Sequence, residues 1–263
     1  MWLSHLLTIP LAILGGGIWG SFLGVLAIRI PQKISIFWPG SRCDHCGHPL
    51  SVSELIPFLS WIYLQGRCRA CHHRILMDIP FAEVATALFF LLLLELSPSP
   101  LSGMRDLIFF SFALPLTLID SRYKRLPHIL TIPCMASGIL LGGMVHGSHG
   151  LLEALFGALA GFIPVALIAT AYPRGIGMGD AFWLSAIGSF TGPGALTLVL
   201  LVASSTGIVA TLVVYLTKHR NSGLSLFSLA MPFGPFLSLG GILTLMIPGI
   251  SHLFNATLLE TLS

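Results

Sequence analysis

Apolar segments of about 20 residues follow one another along most of the chain, with short polar connections between them. Only 9% of the residues are charged, whereas a soluble domain carries about 25%. A helix of this length and composition crosses the hydrocarbon core of a bilayer. We therefore predict an all-α polytopic membrane protein with about eight transmembrane helices. The predicted spans cover residues 6–30, 78–97, 103–120, 127–146, 150–172, 180–191, 194–216 and 232–256. The sixth span is short, so a count of about seven stays open.

The positive charges predict how these spans are oriented. Twelve of the 13 Lys and Arg residues lie in the connections 29–77, 121–126, 173–179 and 217–231. Because cytoplasmic loops carry such an excess, we expect these connections to face the cytoplasm and both termini to face the periplasm. No Lys or Arg precedes the first segment, which argues against a cleaved secretory signal. The net charge of +3 therefore reflects topology, and we expect a lipid bilayer but no nucleic acid as a partner.

The connection at 31–77 is the one long polar stretch of the sequence, and it holds four of the 5 cysteines. They form two Cys-x-x-Cys pairs, and residues 47–67 separate the pairs. Two such pairs complete a tetrahedral four-sulfur site for Zn²⁺. A filled four-thiolate site has no open coordination position, so we predict a structural metal. The predicted ligands are Cys43, Cys46, Cys68 and Cys71. A pair of disulfides is the alternative, and a reducing cytosol disfavours it.

Composition divides the chain into three predicted parts. Residues 1–30 are the first transmembrane helix, 31–77 a small cytoplasmic zinc-binding domain, and 78–263 the remaining transmembrane domain. A segment of about 45 residues is too small for a substantial hydrophobic core. We therefore expect the metal to supply much of the stability of the middle part.

Two acidic residues lie at the ends of predicted spans. Asp120 closes the third span and Asp180 opens the sixth, so topology puts both at the cytoplasmic rim on different helices. Ionisable groups in membrane spans are rare and mark functional sites. Two neighbouring carboxylates share one proton, so that one can activate a water molecule while the other protonates a carbonyl oxygen or a leaving amine. The pattern therefore predicts an aspartic-peptidase pair.

Three glycines at alternate positions, Gly175, Gly177 and Gly179, precede Asp180. Glycine permits extended or left-handed backbone, which would let an extended substrate approach the acid closely. A different interpretation is that the glycines allow tight helix packing and that Asp180 is the N-cap of its helix. Asp120 alone could likewise be an interfacial acid paired with a neighbouring base.

Several segments together resemble the type IV prepilin peptidases, and the resemblance spans nearly the whole chain. The matching blocks are GSFLGVLAIRIP (20–31), SRCDHC (41–46), LIPFLSWIYLQGRCRAC (55–71), IPFAEVATA (79–87), IDSRYKRLPHILTIP (119–133) and GIGMGD (175–180). The GxGD motif of that family falls on residues 177–180.

The resemblance implies a bacterial inner-membrane endopeptidase that removes the basic leader of type IV prepilins and pseudopilins at the cytoplasmic face. Members with the four-cysteine loop typically also N-methylate the new N-terminus with S-adenosylmethionine. By residue-wise transfer, Asp120 and Asp180 are the catalytic pair. Glu54 and Glu83 match acids of the cytoplasmic half of the family, where they are methyltransferase or structural residues. The resemblance also implies that PFGPF (232–236) lies near the active site.

The sequence departs from the family pattern at a few positions. Phe182 stands where a basic residue often follows the second aspartate, and His128 stands where an acid usually follows Leu-Pro. Leu55 and Gly24 replace asparagines in the half associated with methyl transfer. A peptidase without methyl transfer is therefore one alternative. A transporter or assembly scaffold with a zinc docking domain is the other, although a proton pathway would favour acids nearer the middle of the bilayer.

Overall fold

The computed structural model describes residues 2–172, 177–219 and 231–247, and the side chains of 7–172, 177–217 and 231–247. Within these residues all regular secondary structure is helical, and β-structure is limited to two isolated bridges. The helices are α1 (Trp2–Arg29), α2 (Leu59–Tyr63), α3 (Asp78–Leu96), α4 (Pro100–Tyr123), α5 (His128–Ala171), α6 (Met178–Thr191), α7 (Leu196–Val214) and α8 (Gly234–Met246). A 3₁₀ turn at Val52–Leu55 precedes α2, and a π-helical turn at Tyr215–His219 follows α7.

Five of the described helices are long and apolar enough to cross a membrane. They are α1, α3, α4, α5 and α7, the last extended to Thr217. The prediction of an all-α polytopic membrane protein is confirmed at this level. Residues 248–256 of the last predicted span lie outside the described residues.

The chain forms two compact units, Met1–Ser97 and Pro98–Ser263, called here the N-terminal and C-terminal units. In the N-terminal unit α1 packs along α3 through a row of glycines, Gly16, Gly20 and Gly24. A Cβ atom on Gly16 would lie 2.6 Å from the Cα of Ala87, and one on Gly20 would lie 2.7 Å from the Cα of Glu83. Small residues four positions apart allow such close backbone contact between membrane helices.

In the C-terminal unit α5 reverses direction at Gly147, which has a φ of 62°. A Cβ atom on Gly142 would lie 3.1 Å from the Cβ of Ala154, although the two residues would be about 18 Å apart in a straight helix. The element is therefore two antiparallel arms, 128–146 and 148–171. These arms correspond to the separate predicted spans 127–146 and 150–172.

Helix α6 packs against both arms of α5. The hydroxyl of Ser185 donates to the carbonyl of Ala158 on the second arm at 2.9 Å and contacts the sulfur of Met135 on the first arm at 3.2 Å. Residues Trp183 to Thr191 are all buried. The start of α6, which carries Asp180, is therefore held by a helix packed on several sides.

Helix α8 runs antiparallel to α4, because hydrogen bonds join the two at both ends. At one end the N–H of Gly234 donates to the carboxylate of Asp120 at 2.9 Å. At the other end Arg105 pairs with Asp106 at 2.8 Å and donates to the carbonyl of Leu245 at 3.5 Å. These contacts fix the start of α8 beside the last turn of α4.

Candidate active site and metal cluster

Asp120 lies in the last turn of α4 and is only 5% exposed. Its Oδ2 accepts the backbone N–H of Gly234, the first residue of α8. An N–H group in the first turn of a helix has no acceptor within the helix and carries partial positive charge. The structure therefore gives this buried carboxylate a partner that favours its ionised form.

Glycine is required at position 234 by the approach of the carboxylate. A Cβ atom there would lie 2.7 Å from Oδ2 of Asp120 and 3.1 Å from a methyl carbon of Leu126. The PFGPF segment thus contacts the carboxylate of Asp120 directly.

Asp180 is the third residue of α6 and is half-buried. Its Oδ2 accepts the N–H of Gly177 at 3.2 Å, so the carboxylate closes the start of its own helix. The N-cap residue is Gly177, in an extended conformation, rather than Asp180. Gly179 packs on the segment between α4 and α5, where a Cβ would lie 3.1 Å from the Cβ of Leu126. Gly175 lies outside the described residues.

The two aspartates lie at the same end of the C-terminal unit. Leu126, which is buried, packs against both Gly179 and Gly234 and so joins the starts of α6 and α8. One side chain therefore lies against both the neighbour of Asp180 and the residue that donates to Asp120. Each also lies at the positive end of a helix dipole, Asp120 at α8 and Asp180 at α6. Such a pair can bind one proton between its members and serve as combined general acid and base.

Two departures from the family pattern meet beside this pair. The ring of His128, at the start of α5, contacts the ring of Phe182 edge-on with centroids 4.4 Å apart. Phe162 contacts the same phenylalanine at 5.0 Å. An aromatic contact therefore stands where an acid and a base are usual in the family. The sequence alone gave no signal that the two positions touch.

The four cysteines of the N-terminal unit come together in two matching turns. In the first, the N–H of Cys43 donates to the carbonyl of His48 at 2.8 Å, and in the second the N–H of Cys68 donates to that of His73 at 2.9 Å. Each turn is closed by one antiparallel bridge, Arg42 with Pro49 and Arg67 with Arg74. The duplication is visible in the sequence as SRCDHCGHPL (41–50) and GRCRACHHRI (66–75). The spacing of the cysteines predicts a metal site but does not by itself predict two matching turns.

The sulfur geometry matches a metal site. Sγ of Cys43 lies 3.8 Å from that of Cys71, Sγ of Cys46 lies 3.9 Å from that of Cys68, and all four lie within 4.8 Å of one another. Tetrahedral coordination with Zn–S bonds of about 2.3 Å requires sulfur atoms about 3.8 Å apart. Disulfide sulfurs lie about 2.05 Å apart, and all five cysteines are free thiols. The cluster can hold a metal ion and is compatible with zinc.

Local hydrogen bonds favour thiolate at one of these ligands. The backbone N–H of Cys71 is the largest cause that lowers the pKa of Cys68 to about 7, against the opposing effect of burial. At Cys71, a backbone hydrogen bond from His73 lowers the pKa, but burial and the neighbouring thiols outweigh it and raise the pKa to about 12. Because a metal binds thiolate and not thiol, metal binding must displace protons from this cluster.

Glu54 and Glu83 lie in the N-terminal unit and both have defined structural contacts. Oε2 of Glu54 accepts from the N–H and the hydroxyl of Ser51 at 2.8 and 2.6 Å, and the hydroxyl hydrogen bond is the largest cause that lowers the pKa of Glu54. Oε2 of Glu83, which is 5% exposed, accepts the N–H of Phe58 at 2.9 Å. Both acids line a cavity in this unit, which the sequence did not predict.

Comparison with known proteins matches each of the two structural units to a separate family. Residues 14–96 match the family described as the bacterial peptidase A24 N-terminal domain, and residues 107–212 match the type IV leader peptidase family. The first match contains the four cysteines of the N-terminal unit, and the second includes both Asp120 and Asp180.

The curated relatives match almost end to end. A protein of Escherichia coli O78:H11, named "Type 4 prepilin-like proteins leader peptide-processing enzyme", is 33% identical over 265 residues, which are 91% of this chain and 94% of the relative. A "Prepilin leader peptidase/N-methyltransferase" of Pectobacterium carotovorum is 33% identical over 265 residues, 90% of this chain and 92% of the relative. A protein of the same name from Myxococcus xanthus is 35% identical over 206 residues, 76% and 61% of the two chains. No solved structure matches this chain.

Proposed function

Because this chain belongs to the type IV leader peptidase family, we propose that it is a membrane aspartic endopeptidase that removes the leader of type IV prepilins and pseudopilins, with Asp120 and Asp180 as its catalytic pair. One observation carries the residue assignment. The two acids come from different helices, α4 and α6, yet the side chain of Leu126 packs both on Gly179, next to Asp180, and on Gly234, which donates to Asp120.

The chemistry follows from one proton shared by two carboxylates. The ionised member takes a proton from a water molecule as the water oxygen attacks the carbonyl carbon of the scissile bond. The protonated member donates to the carbonyl oxygen, and when the C–N bond breaks the leaving amine receives a proton from the pair. The 2.9 Å hydrogen bond from Gly234 favours ionisation at Asp120, whereas Asp180 has a longer bond of 3.2 Å from Gly177. We therefore assign the initial base role to Asp120 and the acid role to Asp180.

The topology that suits this chemistry has eight crossings, with the two arms of α5 counted separately. The connections that carry twelve of the 13 Lys and Arg residues are then cytoplasmic and both termini periplasmic. The starts of α6 and α8 lie at the cytoplasmic rim of the bacterial inner membrane. A prepilin has a basic leader in the cytosol and an apolar helix in the membrane, so its scissile bond reaches the same depth. Gly177 and Gly179 form the active-site loop beside it.

The four-cysteine segment holds Zn²⁺ in a structural role. Cys43, Cys46, Cys68 and Cys71 fit the ion by the sulfur separations described above, and with four thiolates bound the ion has no position left for substrate. Zinc would hold the two matching turns together, where a segment of this size lacks a core.

The second activity is N-methylation of the new N-terminus. Its support is the name, prepilin leader peptidase/N-methyltransferase, of relatives that match this chain over 90% of its length or more, among them those of Pectobacterium carotovorum and Dickeya chrysanthemi. S-adenosylmethionine, when bound, supplies an electrophilic methyl group. The acids Glu54 and Glu83 lie in the unit that we assign to its binding.

Intact-mass analysis of a prepilin mixed with the purified full chain in detergent tests both activities. Leader cleavage shortens the substrate, and with S-adenosylmethionine present the product gains the mass of one methylene group. A product without that gain would limit the function to cleavage. A substrate of unchanged mass would reject the proposed peptidase.

A further inference from the structure

A cavity of about 370 Å³ lies inside the N-terminal unit. Its wall is formed by α1, the two cysteine turns, α2 and the start of α3, and every lining residue falls between Ser21 and Glu83. The volume lies in the range of small-molecule sites. The cavity is separate in sequence from the aspartate pair, which belongs to the C-terminal unit.

One buried acid in the wall of the cavity, Glu83, has no matching cation among the described residues. Glu83 is buried, and no Lys, Arg or His within the described ranges lies at ion-pair distance from it. Arg29 lines the same cavity but donates instead to the carbonyls of Ser35 and Ile36, at 3.1 and 3.0 Å. Buried charges in proteins are usually paired. The wall thus leaves a carboxylate to be paired by a positively charged ligand.

Two further polar atoms in the wall lack partners. Oε1 of Glu54 and Nε1 of Trp61 are covered and have no hydrogen-bond partner in the part of the chain that the structure describes, while the other oxygen of Glu54 accepts from Ser51. Covered acceptors and donors in native structures normally have partners. One acceptor and one donor, the latter on an indole ring, are therefore available in the wall that holds Glu83.

Arginines from the cysteine turns also line the cavity. They are Arg42, Arg69 and Arg74, and apolar side chains from α1, α3 and the segments between them complete the wall. A ligand that matches these groups carries a cation, an anionic group and hydrogen-bonding donor and acceptor atoms. S-adenosylmethionine combines a sulfonium cation, an amino-acid carboxylate and adenine.

We propose that this cavity binds S-adenosylmethionine, with Glu83 and Glu54 facing its cationic end and Trp61 beside its adenine. The inference rests on the methyl transfer of the proposed function and adds the location and the residues of the donor site. A phospholipid headgroup with a cationic amine is the competing occupant of a cavity lined by membrane helices.

Calorimetric binding to the full chain in detergent separates the roles of these residues. S-adenosylhomocysteine has the same adenine and amino acid but lacks the sulfonium charge. We expect Glu83→Gln to weaken binding of S-adenosylmethionine by about tenfold and that of S-adenosylhomocysteine by much less. The amide oxygen of Gln still accepts the N–H of Phe58, so the local fold is kept. Trp61→Phe should weaken both ligands alike, because adenine is common to them.

The matched control is Glu95→Gln, an exposed acid on the same helix, which should bind both ligands as the wild type does. Unchanged S-adenosylmethionine affinity in both Glu83→Gln and Trp61→Phe would overturn the site assignment. A tightly held phospholipid that excludes both nucleosides would also overturn it.

Methylation of a cleaved pilin, measured on the same preparations, separates this inference from the function on which it rests. Normal methylation by the wild type together with normal binding by the variants would reject the cavity but leave the methyltransferase. A wild type that cleaves the leader, yet neither binds S-adenosylmethionine nor methylates, would reject methyl transfer itself.

Discussion

Replacing Gly234 by Ala tests whether the start of α8 positions the carboxylate of Asp120. The N–H of Gly234 donates to Oδ2 at 2.9 Å, and an added Cβ would lie 2.7 Å from that oxygen. Ordinary contacts of a Cβ begin at 3.4 Å, so the carboxylate or the helix start must move by about 0.7 Å. The buried Leu126, 3.1 Å from the same Cβ position, limits movement on its side.

Two independent estimates give the size of the effect. Misplacing a catalytic group by about 1 Å costs about 100-fold in rate. A hydrogen bond to a charged group contributes about 1.5–3 kcal/mol, which is roughly 10- to 100-fold. We therefore expect Gly234→Ala to lower kcat/KM for leader cleavage roughly 10- to 100-fold.

The assay is cleavage of a purified prepilin, with thermal unfolding of the same sample measured beside it. Gly143→Ala is the matched control, because a Cβ at that helical glycine would meet Leu151 only at 3.6 Å. Gly143→Ala should keep wild-type cleavage. Replacing glycine by alanine in a helix stabilises it by about 0.5–1 kcal/mol, and this effect is common to both variants. Wild-type kcat/KM in Gly234→Ala would refute the positioning role. A loss of the same size in Gly143→Ala would point to general damage.

Two further predictions concern the cysteine cluster and the aromatic contact. Cys43→Ser should lose most of the bound zinc and, with it, methylation, whereas Cys134→Ala in the other unit should keep both. Elemental analysis of the purified chain measures the zinc, and a full zinc content in Cys43→Ser would contradict a four-thiolate site. Phe182→Lys should lower Tm because it removes the ring contacts with His128 and Phe162. Adding His128→Asp should recover at least about 0.5 kcal/mol through a new acid–base pair, and strictly additive effects on unfolding would argue against that pairing.

The helical architecture could be predicted because the signal is local. Segment length and hydropathy depend only on adjacent residues, and they also placed a break between the two arms of α5 near Gly147. The metal cluster was predictable for a related reason, since each Cys-x-x-Cys turn is a local structure and only the pairing of two turns is long-range.

The contacts that complete the sites were not predictable in the same way. Gly234 and Asp120 are 114 residues apart, and nothing in either sequence neighbourhood indicates that a backbone N–H meets a carboxylate. His128 and Phe182 depart from the family pattern at two positions that look unrelated in the sequence, and only helix packing brings the two side chains into contact. The cavity was missed because its wall is assembled from α1, the cysteine turns and α3, none of which carries a cofactor motif.

Leader cleavage by Asp120→Asn and Asp180→Asn, each purified as the full chain beside Glu95→Gln, is the most direct test of the catalytic pair. Asparagine keeps the shape and an acceptor oxygen for Gly234 or Gly177 but cannot exchange a proton with the substrate. We expect each single variant to lose about 10²- to 10⁴-fold in kcat, with the exposed-acid control unchanged. If either asparagine variant cleaves prepilin at the wild-type rate, the two acids do not act as a catalytic pair.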